Sequence, residues 1–487
     1  MSHTRKVAFS TAAQFIGKII GLAISLTTIA ILFRFLGVEG VGKYTTAFSY
    51  VAFFTLFADI GLGWTMLREL SIGQDKSKVF KNIFTFRMLL GIVVFTIASL
   101  AVWLFRYPVD VKMAVAVLSV AFFFQSLVSV AVQVYLNAYR MDIAVIAELG
   151  GKALILLGVY LLSIKGGSLS MVMLAYTLGC LLNFLLVWIF ASKFVKVGLA
   201  FDMIYWKKVF RQAFPIGITL VFGFVYYKVD SIMLSLMKDM TDVGIYGTAY
   251  KILEVLQVFP ALFLGASFSL VTRYVTTKDE RAHSAFQKEF DFLALLGVPI
   301  VVGTIVLSEQ IISFIAGSGG DFIHASTISI AGNPITAVTC LRILIFSVGV
   351  NFITSLYNFM IVSLGKQKEM IWPTVGFALF NIALNLYLIP KYSYFGAAFS
   401  TLFTEILVLS ISRYIVNKHI PLKLYFNNLF KIILCGILMG AATYLLRYLG
   451  LELLVNLLIS VVIYAVLAIA FQVIPKDMLK SLIKIKN

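Results

Sequence analysis

Five cations stand inside stretches of the chain that are otherwise apolar: Lys18, Lys152, Lys228, Lys251 and Arg342. Five acids accompany them: Asp59, Glu148, Asp230, Glu254 and Glu405. Cations in such places bind anions, lysine as a flexible point charge and arginine as a fork that meets phosphate with two hydrogen bonds. A carboxylate there binds H+ or Na+, or serves as the fixed counter-charge of a cation. Spacing already suggests some pairs. Glu148 and Lys152 are spaced i, i+4, and Lys251 and Glu254 i, i+3, so each couple shares a helix face and can neutralise itself. Lys228 and Asp230 point to different faces, so each looks to another helix for a partner.

The elements that carry these charges are membrane spans. Of the 487 residues, 61% are hydrophobic and 13% are charged, whereas a soluble domain is about half apolar and a quarter charged. A crossing needs about 20 apolar residues, because each helical residue rises ~1.5 Å through a core of ~30 Å. Fourteen runs meet that length: 9–35, 41–66, 80–105, 111–137, 143–164, 169–192, 209–236, 242–272, 290–316, 335–363, 370–390, 395–417, 426–448 and 451–473. At that rise Lys18, Lys152, Lys251 and Glu405 lie roughly 13–15 Å from their helix ends, near the midplane, and Arg342 roughly 10 Å below the outer surface. Each charge near the centre costs at least ~2.5–3.5 kcal/mol, so the set implies partners or a hydrated pathway.

Placing the N-terminus in the cytoplasm puts 27 of the 40 lysines and arginines on that side, Arg68, Lys76, Lys78, Lys81 and Arg87 among them, and eight on the other. That imbalance follows the positive-inside rule and predicts both termini inside. A basic cytoplasmic face against anionic lipid accounts for most of the net charge of +18 without nucleic acid. Asp59, Arg68 and Glu69 gather at the cytoplasmic end of the second span, either as a gate that breaks and reforms or as a static lock.

The segment VGKYTTAFSY at 41–50 recurs as VGIYGTAYKI at 243–252, opening the second and eighth spans. Six spans separate the copies, so both enter with the same orientation. The expected architecture is all-α: two parallel six-helix bundles (1–200 and 201–420) followed by a C-terminal helix pair (421–487). Repeats of this kind are a transporter design in which the halves rock about a central site. Enzyme signatures are missing: there is no HExxH, P-loop, Gly-x-Ser-x-Gly or paired DxD motif, and the four histidines lie outside the runs. Cys180, Cys340 and Cys435 are widely spaced and read as core residues, so neither a metal nor a resident cofactor is expected. A membrane-embedded polymerase or glycosyltransferase fits the apolar bulk, but the longest external loop, 317–334, leaves it little room for chemistry outside the bilayer.

Three stretches carry a family resemblance. Residues 34–70 hold Leu36-Gly37, Gly42-x-Tyr44, Asp59-x-Gly61 and Arg68-Glu69; residues 228–256 hold Asp230, Met233-Leu234, Gly244-x-Tyr246 and Ala249-Tyr250-Lys251; residues 385–406 hold Asn385, Ile389-Pro390, Gly396-Ala397-Ala398, Thr401 and Glu405. In order and spacing they resemble the O-antigen-type polysaccharide flippases, in the superfamily of multidrug, oligosaccharidyl-lipid and polysaccharide exporters. The resemblance implies a multi-pass protein of the cytoplasmic (inner) membrane, not an enzyme, that moves a polyprenyl-pyrophosphate-linked oligosaccharide outward by alternating access, with H+ or Na+ coupling. It implies that the five cations line a cavity for the pyrophosphate. Glu405, Asp230 and Glu254 become coupling-ion ligands or counter-charges, and polysaccharide polymerase or assembly proteins become partners of a functional monomer. A multidrug or other small-molecule antiporter and a flippase of lipid II share the architecture. The multidrug exporters usually have 12 spans and an acidic cavity, whereas this inventory leans basic.

Overall fold

The computed structural model describes residues 3–473 apart from 73–74, 278, 318–320, 331 and 422–423. Lys278, Lys423, Lys476, Lys480, Lys484 and Lys486, counted above on the cytoplasmic side, lie outside the described residues. The chain is helical throughout: α1 His3–Asp59, α2 Leu62–Ser71, α3 Lys76–Ala101, α4 Val109–Asn137, α5 Met141–Lys165, α6 Leu169–Ala191, α7 Met203–Met237 and α8 Met240–Leu256. It continues with α9 Val258–Thr276, α10 Arg281–Ala316, the short α11 Asp321–His324, α12 Ala337–Ser363, α13 Ile371–His419, α14 Asn427–Tyr448 and α15 Leu453–Ala470. Among the described residues the one strand pair is β1 (Ser329–Ile330), antiparallel to β2 (Asn333–Pro334).

Among the described residues, eleven helices are long and apolar enough to cross a membrane, so this is a multi-pass membrane protein. Two of the eleven are too long for one crossing. As a single rod, the 57 residues of α1 would extend about 85 Å, nearly three times the apolar core. Instead α1 breaks at Gly37, with φ 66° and ψ 179°. A Cβ there would meet nothing within 4 Å, so backbone conformation rather than space asks for glycine. The 49-residue α13 breaks at Ser393 (φ 46°), three residues after Pro390, which cannot donate to the helical ladder. Helix starts are capped where the sequence offers a side chain: Asp75 accepts from the amides of Ser77 and Lys78, and Asp202 from that of Tyr205.

The chain forms two compact units, residues 1–244 and 245–487, divided inside α8. In the first, one core joins α2, α3, α4 and α6, with Phe84 of α3 against Trp188 of α6 at 4.6 Å between ring centroids. A second core joins α1, α3, α4 and α6 around Tyr50, Phe95, Val111 and Met173. The repeated phrase has a role within this unit. A Cβ on Gly42 would fall 1.7 Å from the Met240 carbonyl oxygen, and one on Gly244 would fall 2.0 Å from that of Val38. The glycine of each copy therefore makes room for the backbone beside the other. Thr46 adds a hydrogen bond to Met240 Sδ at 3.4 Å.

In the second unit α14 lies on α10 through Gly436 and Gly440, where a Cβ would come within 2.5 Å of Val298 and Val302 respectively. Arg447 closes that seam, donating to the Val306 carbonyl oxygen at 2.9 Å and pairing with Glu309. The last two helices are joined by Thr443–Ser460 at 2.7 Å and by Asn456 donating to the Thr443 carbonyl oxygen.

Candidate functional site

Within the first unit α4, α5 and α6 line a half-open, mainly apolar cavity of about 340 Å3 that carries several polar side chains. Its polar lining is Gln125 and Ser129 of α4, Glu148 and Lys152 of α5, and Tyr176 and Asn183 of α6. Glycine sets how closely the walls approach. A Cβ on Gly151 would sit 2.6 Å from the Gly179 carbonyl oxygen, so α5 and α6 cross there almost backbone to backbone. On the other side α1 presents Gly21, whose missing Cβ would fall 2.9 Å from Lys152 Nζ. The ammonium group thus rests against a helix with no side chain at that point.

Glu148 and Lys152 form the ion pair their spacing suggests, Nζ to Oε1 at 2.7 Å, with side chains 56% and 30% exposed. Asn183 lines the cavity, and its Oδ1 is buried and without a hydrogen-bond partner among the described residues. The site therefore offers a cation, a carboxylate, two amides, a serine hydroxyl and an aromatic ring inside an apolar bundle. That mixture suits a ligand rich in hydroxyl groups and carrying negative charge.

Ser129 links this cavity to the candidate gate. Arg87 of α3 donates from Nη2 to Ser129 Oγ at 3.3 Å and from Nη1 to Asp59 Oδ1 at 2.7 Å. The charge count above assigned Arg87 to the cytoplasmic face. Its side chain is in fact 1% exposed, well inside the bundle, because α3 begins at Lys76 and carries residue 87 three turns inward. Asp59, an acid in need of a partner, was the signal that could have located it. Asp59 is the last residue of α1, just before the left-handed pair Ile60 (φ 40°) and Gly61 (φ 75°) that turns the chain into α2.

Asp59, Arg68 and Glu69 do not pair with one another. Glu69 is buried, accepts from Tyr205 at 3.4 Å and lies 3.8 Å from Lys208. Burial, and secondarily the Glu69 carboxylate, push the Tyr205 phenol well above its ordinary range, so it remains a donor. Arg68 is exposed and makes no ion pair among the described residues.

The other predicted residues are dispersed. Lys18 is exposed on α1 and makes no ion pair among the described residues. In α7, Lys228 Nζ stands 5.7 Å from the centroid of the Tyr227 ring, and Asp230 is 1% exposed. In the second unit Lys251 and Glu254 pair at 2.8 Å, and Arg342 donates from Nε to Ser308 at 2.9 Å. Glu405 is buried and accepts from Asn351 at 3.1 Å. Near it, Asn381 donates to Ser400 and Thr404, Asn385 donates to Asn381, and Tyr246 meets Thr401 at 3.1 Å. The two Asn381 bonds tie the arms of the broken α13 together.

Known proteins share this fold. The sequence model of the family described as polysaccharide biosynthesis protein matches residues 4–275, and that of the MatE family matches residues 215–387. The chain is 20% identical over 269 residues to the probable low-salt glycan biosynthesis flippase Agl15 of Haloferax volcanii; the match covers 54% of each, so the chain spans about half the length of that curated relative. Among solved structures, the lipid II flippase MurJ in an inward closed conformation superposes with a TM-score of 0.76 at 16% identity, covering 96% of this chain and 99% of that one. An inward-facing multidrug resistance MATE family transporter of the MOP superfamily follows at 0.63 and 13%, covering 82% and 95%. At these identities the likeness establishes a common fold.

Proposed function

The chain belongs to the polysaccharide biosynthesis protein family, and from that premise we propose that it is a flippase for a polyprenyl-pyrophosphate-linked oligosaccharide. It carries the glycan headgroup from the cytoplasmic to the external leaflet of the inner membrane, exposing it to one side and then the other. The chain crosses fourteen times with both termini inside, as two six-helix bundles and a final pair, and acts as a monomer. The observation that carries the reading is the cavity lined by Lys152, Glu148, Gln125 and Asn183. Its volume of about 340 Å3 falls in the range of small-molecule sites, about 300–1,000 Å3. A permanently anionic linkage needs a cation, sugar hydroxyls need amides and carboxylates, and both need an enclosure inside the bilayer. Lys18, Lys228, Lys251 and Arg342 extend the cationic provision elsewhere.

Native mass spectrometry of gently extracted protein tests this. Wild type should retain a polyprenyl-pyrophosphate glycolipid, and Lys152→Ala should retain markedly less. Equal retention in both would remove Lys152 from the site. Retention of organic cations with no glycolipid would replace the reading with multidrug export.

A further inference from the structure

One buried acid stands apart from every feature described so far. Glu289, two turns into α10, is 7% exposed. The run of apolar residues in the sequence begins one position later, at 290, so the residue attracts no notice there. Among the described residues its carboxyl has one polar partner, the Ser267 hydroxyl of α9, which also stands within reach of the Leu264 carbonyl oxygen. Apart from Ser363, the other residues lining the cavity beside it are apolar. Leu264, Phe268 and Val271 of α9 line the small cavity beside it. Phe359 and Met360 of α12 complete that lining together with Ser363.

Among the described residues no charge compensates it. The residues of α9 and α12 that line its cavity are not titratable, the nearest such group on α12 being Tyr357, which packs on Phe286, and among the described residues the carboxyl makes no ion pair. Around it Lys288 on α10, Arg273 on α9 and Lys431 on α14 are exposed, while Asp291 is held by Gln287 and Asn428 of α14. An ionised carboxylate shut away without a cation is among the costliest arrangements in a protein, whereas a neutral carboxylic acid hydrogen-bonded to serine is readily accommodated. The other acids have better provision: Glu148 and Glu254 have lysines, Asp59 has Arg87, and Glu405 has an amide donor.

We propose that Glu289 is a proton-binding site, carrying its proton while α9 and α10 are packed together and releasing it to water when they part. The reaction is a simple acid dissociation, carboxyl to carboxylate with the proton passing to water. A path for it exists. The cavity beside the carboxyl measures about 10 Å3, room for a single water. Ser363, the last residue of α12, lines the same cavity, and its hydroxyl meets that of Thr272 at 2.9 Å. Hydroxyl groups thus lead from Glu289 to the ends of α9 and α12. Ionisation demands solvation that the packed junction does not provide, so proton occupancy and helix packing are one equilibrium. As the proton leg of transport, the site rests on the flippase reading above; as a proton site it does not.

Infrared titration of the full-length protein in lipid nanodiscs reads the proton directly. Wild type and Glu405→Gln should show the carbonyl band of a protonated carboxylic acid at neutral pH, lost on alkalinisation, and Glu289→Gln should lack it. An identical spectrum in wild type and Glu289→Gln across the titration overturns the site. Proteoliposomes loaded with a fluorescent polyprenyl-pyrophosphate disaccharide test the coupling role separately. Stimulation by an imposed pH gradient should be present in wild type and abolished in Glu289→Gln. Undiminished stimulation in that variant overturns the coupling role. Failure of wild type to move the probe at all overturns the flippase reading and the coupling role, while the infrared result stands for the proton site.

Discussion

Arg87 Nη1 meets Asp59 Oδ1 at 2.7 Å in a pair of unequal members: the arginine side chain is 1% exposed and the aspartate 39%. Desolvation is therefore borne almost wholly by the cation. Ser129 is its second contact, and Nε has no partner among the described residues.

The asymmetry predicts opposite tolerance at the two positions. Asp59→Ala strands a buried guanidinium and should cost about 3–5 kcal/mol, the usual penalty for breaking a buried pair from one side. Arg87→Met keeps the volume and leaves a carboxylate that water can reach, so it should cost markedly less. Thermal unfolding of the two variants in detergent checks the order, and equal losses would contradict the burial argument.

Lys152 and Glu148 should behave as a site rather than as a support. Their exposure limits the pair to about 0–1 kcal/mol of stability, so Lys152→Ala should melt near wild type. Glycolipid retention should nevertheless fall roughly tenfold or more, the equivalent of one charge-assisted hydrogen bond of about 1.5–3 kcal/mol. Glu148→Gln, which frees the ammonium, should retain cargo at least as well as wild type.

Asn183→Leu removes an amide from the cavity wall, its Oδ1 being buried without a partner. Stability should hold or rise slightly, because a buried unsatisfied amide oxygen is eliminated. Binding of a hydroxyl-rich headgroup should weaken, measured in the same mass-spectrometric comparison, while an unglycosylated polyprenyl pyrophosphate should bind equally to both proteins.

Gly42→Ala and Gly244→Ala each drive a methyl group into a backbone carbonyl and should destabilise the fold by at least about 1–3 kcal/mol. Gly223→Ala in α7 is the control. A Cβ there meets nothing within 4 Å, so helix propensity alone should make it neutral or stabilising by up to about 1 kcal/mol. Melting curves of the three variants separate the cases.

Hydropathy made the helical, multi-pass character legible, and spacing along one helix made Glu148–Lys152 and Lys251–Glu254 legible, because both depend only on local periodicity. The glycine echo at 42 and 244 was visible as a repeat, but its cause, a close backbone approach, needs three dimensions. Arg87 was counted with the loop charges although α3 buries it, because counting charges by loop ignores where a helix begins. The cavity around Gln125, Ser129 and Asn183 was invisible for a different reason. Single polar residues on three helices have no signature until packing turns them toward one another, and Glu289 escaped attention because its isolation is a property of its neighbours.

The contact between Thr46 and Met240 spans 194 residues of sequence. Synthesis proceeds at about 5–20 residues per second, so roughly 10–40 s pass between the appearance of the two partners at the ribosome. Through that interval the second arm of α1 sits in the membrane with the groove over Gly42 unfilled, while α2 to α7 are inserted around it. The start of α8 is then the last piece of the first unit to arrive. A nascent chain halted before residue 240 should hold a nearly complete bundle that lacks only this closing strip, and insertion chaperones would meet it in that form.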